Sequence, residues 1–414
     1  MTTAPPFEAP SSHLRTPPSP EVADGSTSHA LVAGVVSGLV GFTSSFAVVL
    51  AGLRAVGADS TQATSGLTVL CLAMGLGCVV FSLRTRMPIT MAWSTPGAAL
   101  LAATATPAGG WPAAVGAFVV TGLLLALLAL VRPLARLVAA IPDELAAAML
   151  GGVLLVLCVA PFRALAADPA VIAPVILAWL VGFVLIRRWA VPIALAVALV
   201  VMLVAGTLSE VGASDLAPVL DVTAPVLDAG ALVAIAIPLV VVTTTSQNVP
   251  GVAVLRSFGY EPDPRPPLVY AGLASAATAP LGGHGINLAA ISAALAAGPE
   301  AGPDPHRRWL AGVSCGATYL LCGALTPFVV AVAAGAPAGL LETIAGLALL
   351  GTLAASAASA FGPSGHREAA ALAFVVAASG VTIAGVGGAF WGLVAGGALI
   401  VALRRRDKDV APRS

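Results

Sequence analysis

The chain has 414 residues, 58% of them hydrophobic and only 9% charged, with zero formal net charge and a mean hydropathy of +1.00. No water-facing surface of a globular protein this long accommodates that balance, so the solvent for most of the chain is lipid. The absence of a basic or acidic excess gives no pointer to nucleic acid or to acidic substrates.

Residues 1–28 are rich in Pro, Ser and Thr and contain no apolar core. They read as a disordered cytoplasmic tail, neither a cleavable signal peptide nor a span. A helix crossing the roughly 30 Å hydrocarbon core needs about 20 mostly apolar residues, and fourteen hydrophobic segments follow the tail. The first seven are His29 to Leu53, Ala63 to Leu83, Met87 to Ala105, Pro112 to Val131, Pro142 to Val159, Pro169 to Ile186 and Ala190 to Leu208. After a linker at 209–228 come Ala229 to Val254, Pro267 to Pro280, Gly282 to Ala297, Trp309 to Ala334, Leu340 to Phe361, Ala369 to Ile383 and Gly385 to Leu403. A basic cytoplasmic tail, 404–414, closes the chain. With the N-terminus inside, this threading puts every Lys and Arg except Arg54 and Arg163 on the cytoplasmic side, as the positive-inside bias requires. The linker carries Glu210, Asp215, Asp221 and Asp228 and no basic residue, which suits an external position.

The expected fold is therefore an all-α membrane protein of two seven-span halves, 29–208 and 229–403, with both termini in the cytoplasm. Because seven is odd, two similar halves would lie in opposite orientations, the inverted-repeat plan of many secondary transporters. Gly41-Phe42-Thr43-Ser44-Ser45-Phe46 in the first span and Thr243-Thr244-Thr245-Ser246-Gln247-Asn248 in the eighth fall at nearly the same depth.

Two segments are broken. In the third, Trp93-Ser94-Thr95-Pro96-Gly97 precedes an Ala-Leu run, so Ser94 or Thr95 can cap a half-helix that starts at Pro96. In the tenth, Gly282-Gly283-His284-Gly285-Ile286-Asn287 disfavours helix until the apolar residues that follow. Broken segments at matching positions of two halves point to a transporter binding site, and half-helix N-termini can hold an anion without a buried Lys or Arg. A simple kink at Pro96 and close helix packing at the glycines are the competing readings.

Gln247 and Asn248 in hydrocarbon favour a water-accessible site over a helix contact. His284, between glycines, is a candidate proton carrier or a structural hydrogen-bond donor. Glu342, Asp143 and Glu144 open spans and equally suit helix N-terminal charges. The five cysteines fall in apolar runs without metal-ligand spacing. No metal cluster, catalytic carboxylate pair or nucleophile triad argues for an enzyme, and no cofactor is implied.

Ser246-Gln247-Asn248-Val249-Pro250-Gly251, Gly282 through Ile291 and the Trp93-to-Gly97 break together resemble the benzoate membrane transport proteins, the BenE type of benzoate/proton symporter. The resemblance covers nearly everything after the tail. It implies the fold of the nucleobase and sulfate carriers, with a core domain moving against a gate domain in a bacterial inner membrane, and allows a homodimer. By position it implies a substrate site formed by Ser94, Thr95, Gly97, His284, Gly285, Asn287, Gln247, Asn248, Thr43, Ser45 and Phe46, with His284 or Glu342 as proton-coupling candidates. The nucleobase carriers use acidic residues where this chain has Gln247 and His284 or Asn287, and a neutral site suits a substrate that brings its own charge. Benzoate or a similar aromatic carboxylate with a proton is the implied cargo. Another small anion, a nucleobase and passive anion flow are the alternatives.

Overall fold

The computed structural model describes residues 20–131, 133, 141–206, 217, 219–362, 366–383 and 386–410. In chain order the helices are α1 (Pro20–Thr43), α2 (Phe46–Ala55), α3 (Ser60–Thr85), α4 (Thr95–Ala102), α5 (Gly110–Leu130), α6 (Asp143–Ala167), α7 (Pro169–Leu185) and α8 (Ala190–Val204). The second half adds α9 (Ala229–Ser257), α10 (Arg265–Thr278), α11 (Ile291–Ala297), α12 (Trp309–Ala324), α13 (Thr326–Ala334), α14 (Leu340–Ala360), α15 (Arg367–Ala378) and α16 (Gly388–Val410). Strand β1 (Met91–Trp93) pairs antiparallel with β2 (Ile286–Leu288), and β3 (Thr382–Ile383) with β4 (Val386–Gly387).

Local chemistry sets many of these ends. Asp59 and Gln62 form a reciprocal capping box at the start of α3, with bonds of 2.8 and 3.0 Å. Asp168 caps α7 ahead of Pro169, and Asp228 caps α9 through the Ala231 N–H at 2.7 Å. Asp143 and Glu144 sit in the first turn of α6, where a negative charge complements the helix dipole.

The observed elements adjust the expected boundaries. Helix α1 begins at Pro20, not His29, because a proline presets the first helical turn and none follows to stop it; residues 1–19 of the expected tail lie outside the described ones. At the other end α16 carries the basic residues in helix as far as Val410, since Lys and Arg are good helix formers near a C-terminus. Of the expected linker, residues 219–228 form neither helix nor strand, with the Thr223 N–H bonded to Pro280 O and the Val226 N–H to Pro112 O. Residues 209–216 lie outside the described ones.

Among the described residues seven helices are long and apolar enough to cross a membrane, or eight if α12 and α13, bent by 54°, count as one span. The remaining segments are short or broken. The thirteenth yields only the 12-residue α15, about 18 Å long, because the chain turns at Gly380 in a left-handed conformation, φ 67°. The chain is a multi-pass helical membrane protein, but its centre is not all helix.

The helices pack in two groups. In one, α12 lies against α1 and α3, α10 lies against α5 and α3, and α9 and α11 complete the set with α2 and α4. In the other, α6 is central: α14 and α15 lie along it, α15 also packs on α16, and α7 pairs with α8. The groups meet where α2 touches α14, α4 touches α6 and α1 touches α8.

Close approach inside the first group depends on glycine. A Cβ on Gly122 in α5 would stand 2.4 Å from Ala276 N, and one on Gly272 in α10 would stand 2.3 Å from Ala126 N. Lipid supplies no hydrophobic drive between helices, so this contact rests on backbone packing. Gly122→Leu is expected to force α5 from α10 at a cost of about 1–3 kcal/mol or more. A melting temperature of the detergent-solubilised variant equal to that of the unmodified chain would contradict this.

Candidate functional site

The site is built where two stretches leave the helix together. Pro88 biases the chain before it toward extended structure, and Gly282, at φ 94°, ends the turn after α10. The two extended stretches pair in the register Met91↔Leu288, Ala92↔Asn287 and Trp93↔Ile286. The ladder continues at both ends, through Ser94 N–H to Gly285 O and Ala289 N–H to Thr90 O, each 3.0 Å. The expected breaks in the third and tenth segments thus meet, and neither is a simple kink.

Ser94 organises one end. Its hydroxyl accepts from the Gly97 N–H at 3.2 Å as the N-cap of α4 and shares a 2.8 Å bond with the Thr243 hydroxyl of α9. Thr95 follows half-buried at the first position of α4. A Cβ on Gly97 would meet Ser94 Oγ at 2.7 Å and Leu239 Cδ2 at 2.8 Å, so that position is closed to side chains. The carbonyl of Ser94 lies 3.1 Å from His284 Nε2. A carbonyl only accepts, so Nε2 carries the proton, and in the neutral ring Nδ1 is bare.

Asn248 and Asn287 organise the other end. Asn248 Oδ1 accepts from the Leu288 N–H at 2.9 Å, tying α9 to β2, while Asn287 Nδ2 donates to Leu288 O at 2.8 Å. The tenth segment stays extended through Leu288, and α11 starts at Ile291, later than the sequence suggests. The edge toward α1 is aromatic. Trp93 Nε1 donates to Ser45 Oγ at 2.8 Å, Phe42 stacks on Phe46 at 5.5 Å, and Phe42 lies 5.6 Å from Trp93.

The first span, expected as a continuous helix, breaks at Ser44 and Ser45, and α9 takes a π-turn at Thr244–Asn248. Both irregularities fall at the paired polar motifs, and π-turns frequently mark functional positions. Ser94, His284 and Asn287 are at most 1% exposed. Even so, His284 Nδ1, Asn287 Oδ1, Thr244 Oγ1 and Thr90 Oγ1 have no hydrogen-bond partner among the described residues. Unpaired polar atoms in a buried site cost about 1–3 kcal/mol each, and a ligand or ordered water is what normally satisfies them.

Several expected residues stand apart from this network. Thr43 Oγ1 bonds back to Leu39 O in its own helix at 2.7 Å. Gln247 lies half-buried on the π-turn, and its side chain is in none of the hydrogen bonds found among the described residues. Glu342 is exposed in the first turn of α14, where it acts as a helix N-terminal charge. Conversely, sequence reasoning left Thr243, Phe42 and Ser275 outside the site. Ser275 Oγ receives the Ile286 N–H at 2.9 Å, and a hydroxyl within an Ala-rich span was its signal. Cys78, expected as a buried apolar residue, is buried and also accepts the Met91 N–H on Sγ at 3.0 Å.

The model of the family described as benzoate membrane transport protein matches residues 24–402. The chain belongs to that family. It is a membrane transport protein and not an enzyme. It is 37% identical over 376 residues to the inner membrane protein YdcO of Escherichia coli, covering 90% of this chain and 95% of that one. It is 27% identical over 367 residues to the benzoate membrane transport protein of Acinetobacter baylyi, covering 89% and 93%. Among solved structures it resembles the transmembrane domain of the cyanobacterial bicarbonate transporter BicA. The TM-score is 0.55 at 16% identity, over 89% of this chain and 97% of that one. At that identity the likeness is one of fold.

Asn248→Ala would leave the buried Leu288 N–H without an acceptor. It is expected to destabilise the strand pair by about 1–3 kcal/mol and to speed hydrogen exchange at Leu288. Protection at that amide equal to the unmodified chain's would show that another group takes over.

Proposed function

We propose that this protein imports benzoate or a similar small aromatic carboxylate together with a proton. The cargo would sit between the β1–β2 ladder, the α1–α2 break and the π-turn of α9. The observation that carries the reading is that His284 Nδ1 at one end of the ladder and Asn287 Oδ1 at the other are buried without a hydrogen-bond partner among the described residues, while no Lys or Arg is among the residues that bond to the ladder. A proton on Nδ1 would turn His284 into a donor for a carboxylate and supply the missing positive charge. A proton travelling on the carboxylate itself would donate to Asn287 Oδ1. The aromatic edge of Trp93, Phe42 and Phe46 offers apolar surface for a ring.

Energetics favours coupling. An aromatic carboxylate is ionised at neutral pH as Asp and Glu are, and bringing one negative charge into an inside-negative cell opposes roughly 2.3 kcal/mol per 100 mV. A co-transported proton cancels that charge.

The proposed scaffold is fourteen segments in two inverted repeats, with the first helix group as the core and the second as the gate. Exchange of the halves supports it: α3 packs on α12 as α10 packs on α5. The glycine contacts follow the same exchange, Gly75 against Gly316 and Gly272 against Gly122. The two broken segments are then partners about the pseudo-axis, and rocking of one group against the other gives alternating access. The distribution of arginines supports a multi-pass topology in a bacterial inner membrane with both termini in the cytoplasm.

Proteoliposomes with an acid exterior are expected to accumulate labelled benzoate, and collapsing the gradient should abolish accumulation. His284→Gln and Asn287→Ala should cut uptake at least tenfold in protein that still elutes as a single species. Benzoate that fails to accumulate in any gradient removes the substrate assignment; currents far above carrier turnover, indifferent to the proton gradient, would indicate passive anion flow instead.

A further inference from the structure

A cleft of about 510 Å³ lies between the two helix groups, lined by residues of α1, α11 and the turn before α8. That volume is in the range of small-molecule sites. Val32 and Val36 of α1 and Leu295 of α11 give it an apolar wall, and His29, Arg188 and Glu300 line it as well. Arg188 lies in the turn Arg187–Trp189 between α7 and α8, on the second helix group, whereas Glu300 follows α11 on the first. Their side chains form an ion pair across the seam, with side-chain exposures of 47% and 54%.

Two features give this cleft a ligand chemistry. One is its polarity: a guanidinium beside an aliphatic wall matches a molecule with a carboxylate at one end and an apolar body. The guanidinium fork binds carboxylates in two-point geometry, and Glu300 already shows Arg188 engaging one. The other is position. Val36 precedes Ser37, whose hydroxyl donates to Ser292 O at 3.1 Å in the first turn of α11. The cleft, lined by Val36 and Leu295, therefore abuts the segment that continues from β2.

We infer that the cleft is a second carboxylate site at the cytoplasmic end of the path. Arg188 receives the departing substrate's carboxylate there, and Glu300 occupies Arg188 when the cleft is empty. The inference rests on the reading of the chain as an aromatic carboxylate carrier with its arginine-rich face in the cytoplasm. Glu300 acts as an internal competitor: it keeps affinity at the exit low and, because the pair bridges both helix groups, it couples release to their separation.

The test compares the KM for benzoate at the cytoplasmic face with that at the external face, using the full-length protein in vesicles of each orientation. E300Q is expected to lower the cytoplasmic-to-external ratio about threefold to fivefold, the scale of a solvent-exposed charge pair. R188Q should raise it by a similar factor, and the double variant should match R188Q, because Glu300 acts only through Arg188. R188K should fall between the unmodified chain and R188Q, since lysine keeps the charge but loses the fork. An unchanged ratio in E300Q, or an E300Q effect that persists in the R188Q background, overturns the inference. If R188Q does not fold, E300Q and R188K decide it by the same ratio. Unmodified protein that carries no benzoate refutes the substrate reading and this inference with it, a result visible before any variant is compared.

Discussion

Inside hydrocarbon a backbone N–H or C=O without a partner costs several kcal/mol, which is why chains cross membranes as helices or closed barrels. Two stretches of this protein leave the helix there, at residues 89–94 and 282–290, and neither could do so alone. Each satisfies the other through the β1–β2 ladder and its two flanking bonds. Side chains from neighbouring helices satisfy further amides, as Cys78 takes the Met91 N–H, Ser275 the Ile286 N–H and Asn248 the Leu288 N–H. What looks like a binding motif is first a solution to the hydrogen-bonding demands of an interrupted helix pair. The site chemistry is the remainder, the polar atoms that this solution leaves unpaired.

That remainder is neutral. Among the described residues no arginine bonds to the ladder, and the one that is buried, Arg308, spends its donors on Ala297 O, at the end of half-helix α11, and on Gly302 O, past the turn that follows it. The bond to Ala297 O satisfies a carbonyl that a seven-residue helix cannot satisfy itself. A site without a fixed cation binds an anion weakly until a proton arrives, which would link the two proposed cargoes by electrostatics. His284, whose tautomer follows from its bond to the Ser94 carbonyl, has a bare ring nitrogen at which such a proton could sit.

The ladder, its supporting hydroxyls and both asparagines belong to one helix group, and the other group meets it through α14, α6 and α8. Within the first group, glycine contacts hold backbones in close approach around the ladder, a packing that resists sliding. Between the groups the contacts are fewer and include an exposed ion pair, Arg188 with Glu300. A rigid frame beside a looser seam is the mechanical arrangement that the proposed alternating access needs.

Much of this was legible in the sequence for a definite reason. Composition alone places the chain in lipid. The breaks at Pro96 and at Gly282, Gly283 and Gly285 show without a structure because proline and glycine act on their own backbone, and Ser94 as a cap follows from the same local rules. Span lengths were less legible. Hydropathy records where apolar residues lie, not where a helix ends, so α15 and the break at Ser44 and Ser45 escaped it. Which polar residues join the site was decided only by tertiary structure. Ser275 and Thr243 reach the candidate site because their helices pass the ladder, and Glu342 stands exposed in the first turn of α14. Local backbone preference is a property of neighbours in the chain, whereas a hydrogen bond between Asn248 and Leu288 exists only once two distant segments have packed.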